Sequence, residues 1–243
     1  MSDIIHVKNS LAKAADPGFA ERSLQFFKTG PGEYAEGERF LGIRVPDLRK
    51  IAKEFRSLSI EEVRHFLQSE YNEERLFALL ILVEQYKQGD AAARSGIYRF
   101  YMDQRVYVNN WNLVDSSAYQ IVGAYLFDKE KDILHDLARA ESLWDRRIAI
   151  VSTYYDIRQG VFETASAIAE ELLEDPHDLI HKAAGWMLRE IGKRDAQAEQ
   201  RFLDRHAGRM PRTMLRYAIE RFPVELRRHY LEQSAASPIS PLQ

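Results

Sequence analysis

Apolar residues recur along this chain every three or four positions, with little of the strict alternation that marks a half-buried strand. Val45-Pro46-Asp47 opens one helix with proline at an early position, and Ser59-Ile60-Glu61-Glu62 has the spacing of a capping box. Later helices follow Glu73, Asn110, Leu143, Leu179 and Pro211, so the starts are separated by 37, 33, 36 and 32 residues. That rhythm is the one expected of two-helix repeats of the HEAT kind, in which each pair buries its face only against the next. The expected fold is all-α: a right-handed superhelical solenoid of antiparallel helix pairs, one repeat domain over residues 1–232. Residues 233–243 contain two prolines and are expected to fray.

A helical projection at about 100° per residue sorts the faces of three of these helices. On the helix from Asn110, Leu113, Val114, Ile121, Ala124 and Tyr125 form the core side, and Trp111 and Asp115 share a face away from it. On the helix from Leu143, Trp144, Ile148, Val151 and Tyr155 point inward, with Arg147, Tyr154 and Arg158 flanking them. On the helix from Leu179, Ala183, Ala184, Met187 and Ile191 make the core, and Lys182, Trp186, Arg189 and Lys193 form a separate stripe. The stripes align between repeats: Arg75, Trp111, Arg147, Lys182 and Arg216 follow at steps of 36, 36, 35 and 34. A basic row interleaved with tryptophan suits a phosphate backbone and a packed sugar. The competing reading of such a row is a solvated face, which accounts for the cations better than for exposed tryptophan.

Charge sharpens this picture. The whole chain has a formal charge of −3, yet residues 180–232 carry 12 Lys+Arg against 7 Asp+Glu, a local +5, and the remainder carries 22 against 30, a local −8. A basic C-terminal quarter on an acidic protein points to a polyanion met by one surface. The chain has no cysteine, which excludes disulfides, thiolate metal sites and thiol nucleophiles and fits a reducing cytoplasm. No membrane span or signal peptide is legible, so a cytoplasmic protein with access to the nucleoid and no membrane partner is expected.

Two features invite over-reading. The loop Gly30-Pro31-Gly32-Glu33-Tyr34-Ala35-Glu36-Gly37 is rich in glycine, but no strand precedes it, no Lys-Ser/Thr follows and it holds two carboxylates; it reads as a connector. His177 and His181 stand at i and i+4 without a third convergent ligand, so they read as a helix start. No metal or cofactor is expected.

Four segments, Phe40-Leu41-Gly42-Ile43-Arg44-Val45-Pro46, Asn110-Trp111-Asn112-Leu113-Val114-Asp115, Trp144-Asp145-Arg146-Arg147-Ile148-Ala149 and Lys182-Ala183-Ala184-Gly185-Trp186-Met187-Leu188-Arg189-Glu190, together resemble the DNA alkylation repair family of AlkD-like glycosylases. The likeness runs from about residue 20 to residue 232. It implies a HEAT-like solenoid that cradles duplex DNA and excises positively charged N3- and N7-alkylated purines by hydrolysing the N-glycosidic bond; a monomer is expected. Residue by residue, it implies catalytic roles for Trp111, Asp115, Arg147 and Trp186. Backbone contacts are expected from Arg147, Arg158, Lys182, Arg189, Lys193, Arg212 and Arg216. The chain departs from the family pattern where Asn110 stands in place of a paired tryptophan and Phe26 or Phe27 in place of a tyrosine. The family also has members that bind DNA without excising bases, which gives the alternative expectation of a non-catalytic protein for distorted or branched DNA. For Asp115, Trp186 and Arg147, a surface ion pair, repeat packing and an inter-helix ion pair are the respective structural alternatives.

Overall fold

The structure is a computed structural model that describes residues 2–236. Among them every regular element is helical, residues 27–44 form a long connection without helix, and the one extended pairing is an isolated bridge between Arg39 and Tyr71. It falls into two compact units, Met1–Ser117 and Ala118–Gln243.

The first unit contains α1 (Ser2–Ala14), α2 (Pro17–Phe26), α3 (Val45–Glu54), α4 (Ile60–Leu67), α5 (Asn72–Gln88), α6 (Ala91–Gln104) and most of α7 (Trp111–Ala118). The helix starts follow their local chemistry. Asp16 and Asp90 accept from backbone N–H groups three residues on, and Ser59 forms the full capping box with Glu62. Leu76 to Val83 of α5 are buried without a break, so this helix has no polar face in its middle and forms the centre of the unit. Phe66, Phe77, Tyr101 and Leu113 pack the same core. At its N-terminus α5 also organises the segment before α3: the buried Glu73 carboxylate accepts from the N–H groups of Leu41, Gly42 and Ile43 at 2.9, 2.8 and 3.2 Å. Gly42 is obligatory there. Its φ is +81°, and a Cβ would lie 2.0 Å from the Asp16 carbonyl oxygen.

The second unit follows with a π-helical turn (Tyr119–Gly123), α8 (Ala124–Leu126), α9 (Asp132–Ala138), α10 (Leu143–Ser152), α11 (Tyr154–Arg158), α12 (Glu163–Glu171), α13 (Asp178–Gly192), α14 (Ala196–His206), α15 (Arg212–Ala218) and α16 (Val224–Ala236). Helices α10 and α13 pack together at its centre, α13 against α15 in turn. Two glycines permit the close approach: a Cβ on Gly123 would lie 2.1 Å from the Ser152 carbonyl oxygen, and one on Gly185 2.4 Å from that of Met214. The starts of α5, α7, α10, α13 and α15 fall within one residue of the repeat positions read from the sequence. Helix α16 carries helical structure through Ala236, past the start of the expected fraying tail; residues 237–243 lie outside the described residues.

The π turn corrects the projection of the helix from Asn110. A π turn takes more residues than an α turn, so the phase assumed at 100° per residue slips beyond Ala118. Leu113, Val114 and Ile121 are buried as expected, but beyond them Val122, Gly123 and Leu126 are buried while Ala124 and Tyr125 are only half-buried.

Candidate nucleic-acid interface

In the first unit the site begins at Asn110, which is fully buried. Its side-chain oxygen accepts from the Trp111 N–H at 2.8 Å, and its amide donates to Glu38 at 2.9 Å. Glu38 is itself a buried hub: its carboxylate also pairs with Arg75 and accepts from Asn72 at 3.2 Å. Asn72 and Asn112 exchange a further amide pair, with Asn112 donating at 2.7 Å. The N-terminus of α7 is thus tied by buried charge to the N-terminus of α5 and the segment before α3. Asn110, which sequence comparison marks only as a departure, holds Trp111 in place.

Trp111 is half-buried against two phenylalanines, with a third behind them. Phe27 lies parallel on it, with ring centroids 5.0 Å apart and an interplanar angle of 12°. Phe26 meets it edge-on at 5.8 Å and is itself 68% exposed, and Phe40 packs behind Phe27 at 4.8 Å. Offset and edge-on ring pairs of this kind are worth about 0.5–1.5 kcal/mol each beyond their buried area. Asp115, one turn along the same helix, is half-buried and engaged with a neighbour. The shared Trp111/Asp115 face read from the sequence is therefore present, carried on α7 and braced from behind.

The basic residues require correction. Arg75 and Arg147 are 4% and 5% exposed, so two members of the inferred cation row are not on a wet face. Arg75 is spent on Glu38, and Arg147 donates from Nη1 to the Leu179 carbonyl at 2.5 Å, clasping α10 to the start of α13. A polar flank position in a stacked repeat can reach the next layer, and a long guanidinium does so. Arg189 pairs with Glu220 and Lys182 with Asp178, the latter at 2.6 Å. Lys193 bonds Glu190 at 2.5 Å, and Arg212 donates to the Leu231 carbonyl at 2.7 Å. Arg158 and Arg216 are exposed and have no ion-pair partner among the described residues.

Trp186 is half-buried on α13, with its Nε1–H donating to Glu190 at 3.3 Å. Burial opposes the charge on Glu190, but Lys193, Arg194 and the indole N–H outweigh it and bring its pKa below the ordinary carboxylate value. Trp186 also touches Tyr154, at a centroid distance of 5.8 Å, and Tyr154 touches Tyr119 at 5.1 Å. Tyr154 lies on the flank expected for it, and Tyr119 joins it because the π turn rephases that helix. Trp144, expected in the core, is half-buried.

The features set aside are occupied locally. Glu33 and Glu36 accept from the N–H groups of Gly30 and Gly32, so the glycine-rich loop caps its own amides with its carboxylates. His177 caps α13 by accepting from the Leu179 N–H, and His181 bonds the Asp175 carbonyl. No group of three His, Asp or Glu residues that could hold a metal ion occurs among the described residues, and no helix there is long and apolar enough to cross a membrane.

A family model described as a DNA alkylation repair enzyme matches residues 7–222. A solved structure titled as a predicted DNA alkylation repair enzyme from Enterococcus faecalis is similar to this chain with a TM-score of 0.65 at 15% identity, over 86% of this chain and 97% of that one. AlkD2 from Streptococcus mutans is similar with a TM-score of 0.50 at 14% identity, over 92% and 99% of the two chains. Both likenesses are of fold. No curated protein sequence matches.

Proposed function

The chain belongs to the DNA alkylation repair family, and from that premise we propose that it is a DNA glycosylase, acting as a monomer, that releases N3- and N7-alkylated purines from duplex DNA. The observation that carries this reading is Trp111, packed on Phe26 and Phe27, one helical turn from Asp115, both partly open to solvent.

An alkylated N3 or N7 purine already bears positive charge. When the bond from its N9 to the sugar C1′ breaks, the electron pair leaves with the purine, which departs neutral and needs no general acid. The charge that must be met is on the oxocarbenium-like sugar, and the nucleophile is a water that bonds C1′ and sheds a proton. Asp115 can meet that charge and orient the water. At roughly 4 Å and an effective dielectric of about 20, the attraction is worth about 4 kcal/mol, or about a thousandfold in rate. The Trp111 face adds cation–π stabilisation to the same charge. Trp186 is assigned as the aromatic contact that the second unit makes with the same DNA. Arg147 is assigned to clasping α10 to the start of α13, the helix that carries Trp186, because its guanidinium is buried and bonded to the Leu179 carbonyl.

The test is incubation with duplex DNA containing N7-methylguanine, followed by measurement of free base and abasic sites. Time-dependent release is expected. A second reading, binding without excision, draws on Phe27: lying parallel on Trp111, it covers one indole face. DNA binding with no base released in that assay would establish the second reading over the first.

A further inference from the structure

Within the second unit, Tyr119, Tyr154 and Trp186 come from three successive layers of helix, 35 and 32 residues apart in the chain, and their rings touch in sequence at 5.1 and 5.8 Å. The contact follows from the two glycines. Gly123, one turn after Tyr119, lets the π-helical turn meet the end of α10 just before Tyr154, and Gly185 sits beside Trp186 where α13 meets α15. The run is not core: all three residues are only half-buried. Both phenolic hydroxyls lack a hydrogen-bond partner among the described residues, and neither is a buried oxygen. Core tyrosines do not behave this way; Tyr101 is fully buried and its hydroxyl bonds Ser117 at 3.0 Å. Cations border the run: exposed Arg158 follows Tyr154 by one turn of α11, and the Arg194 guanidinium, which pairs with Glu190 at 3.2 Å, lies 5.7 Å from the Tyr154 ring centroid.

We propose that Tyr119, Tyr154 and Trp186 form a track for the sugar-phosphate backbone of undamaged duplex DNA, with the two hydroxyls donating to phosphate oxygens and the ring edges packing on deoxyribose. The track rests on the proposed action on DNA and adds to it a surface that is blind to the lesion. Tyrosine hydroxyls are ordinary phosphate donors, and such contacts fix register without reading sequence. The occupant is fixed by complementarity: two donors and the exposed guanidinium of Arg158, all unpaired among the described residues, suit an acceptor-rich polyanion.

The test uses the full chain with Tyr119→Phe, Tyr154→Phe and the double substitution, which keep the ring contacts and remove only the hydroxyls. Binding is read by anisotropy of labelled duplexes, one unmodified and one containing N7-methylguanine. Each single change is expected to weaken affinity about three- to tenfold and the double change more, equally on both duplexes. The slope of log affinity against log salt stays at the parent value, because no charge is removed. Affinities within twofold of the parent on both duplexes overturn the track and leave the glycosylase reading standing. Weakening confined to the modified duplex overturns it in favour of a lesion contact. A parent protein that binds neither duplex overturns both the track and the function on which it rests.

Discussion

Glu38 carries its charge beneath the surface, where Arg75, Asn72 and Asn110 converge on its two oxygens. Removing one member of such a pair leaves the other charge buried and unmatched, at a cost of about 3–5 kcal/mol. Glu38→Ala should lower the unfolding free energy by that amount in a urea titration; a change below about 1 kcal/mol would mean that water replaces the lost carboxylate. Glu199 presents the opposite case. It is 2% exposed, and burial, opposed only by Arg189, pushes its pKa from an ordinary 4.5 up to about 8. Between those values the unfolded chain releases this proton while the folded chain keeps it, so its effect on stability is most favourable below about pH 4.5 and is lost as pH rises to about 8. Glu199→Gln should flatten that decline and raise Tm at pH 8 relative to the parent, as read by thermal melts across pH; parallel Tm curves for the two proteins would contradict it.

Among the elements, the repeat rhythm was legible because helix starts carry local chemistry: prolines, capping serines and aspartates, and apolar spacing. What escaped was how layers touch. The π turn at Tyr119–Gly123 has no sequence mark that a projection at constant angle can register, so Val122 and Gly123 were missed as core and Tyr119 as a surface ring. Arg75 and Arg147 occupy the same flank positions as solvated cations would, and only the neighbouring layer decides that they turn inward. Trp111 and Asp115 were legible because α7 is regular up to Ala118. Gly185 shows how narrow the layer spacing is. Gly185→Ala should force α13 from α15 at a cost of about 1–3 kcal/mol and shift the fluorescence of Trp186, with Met214 the backbone it would strike. An alanine variant with parent stability and spectrum would show that the layers yield freely.

At the scale of the molecule, the charge asymmetry is largely absorbed by internal pairing. Lys182, Arg189 and Lys193 already hold carboxylates, whereas Arg158 and Arg216 are exposed without one among the described residues. Each phosphate neutralised contributes about −0.9 to the slope of log affinity against log salt. Arg158→Ala and Arg216→Ala should therefore each make the slope shallower by about 0.9, and a slope near zero in the parent would remove phosphate contacts from the account. The central claim concerns chemistry on the bound DNA, and Asp115→Asn isolates it. Asparagine keeps the size of the side chain and removes the charge that the oxocarbenium-like sugar is proposed to meet, a loss of about 2–4 kcal/mol. With the fold intact by circular dichroism, release of N7-methylguanine from duplex DNA should slow by about thirty- to a thousandfold while affinity for the DNA holds or rises slightly. Release at the parent rate would contradict the account, leaving Asp115 a bystander on the α7 face.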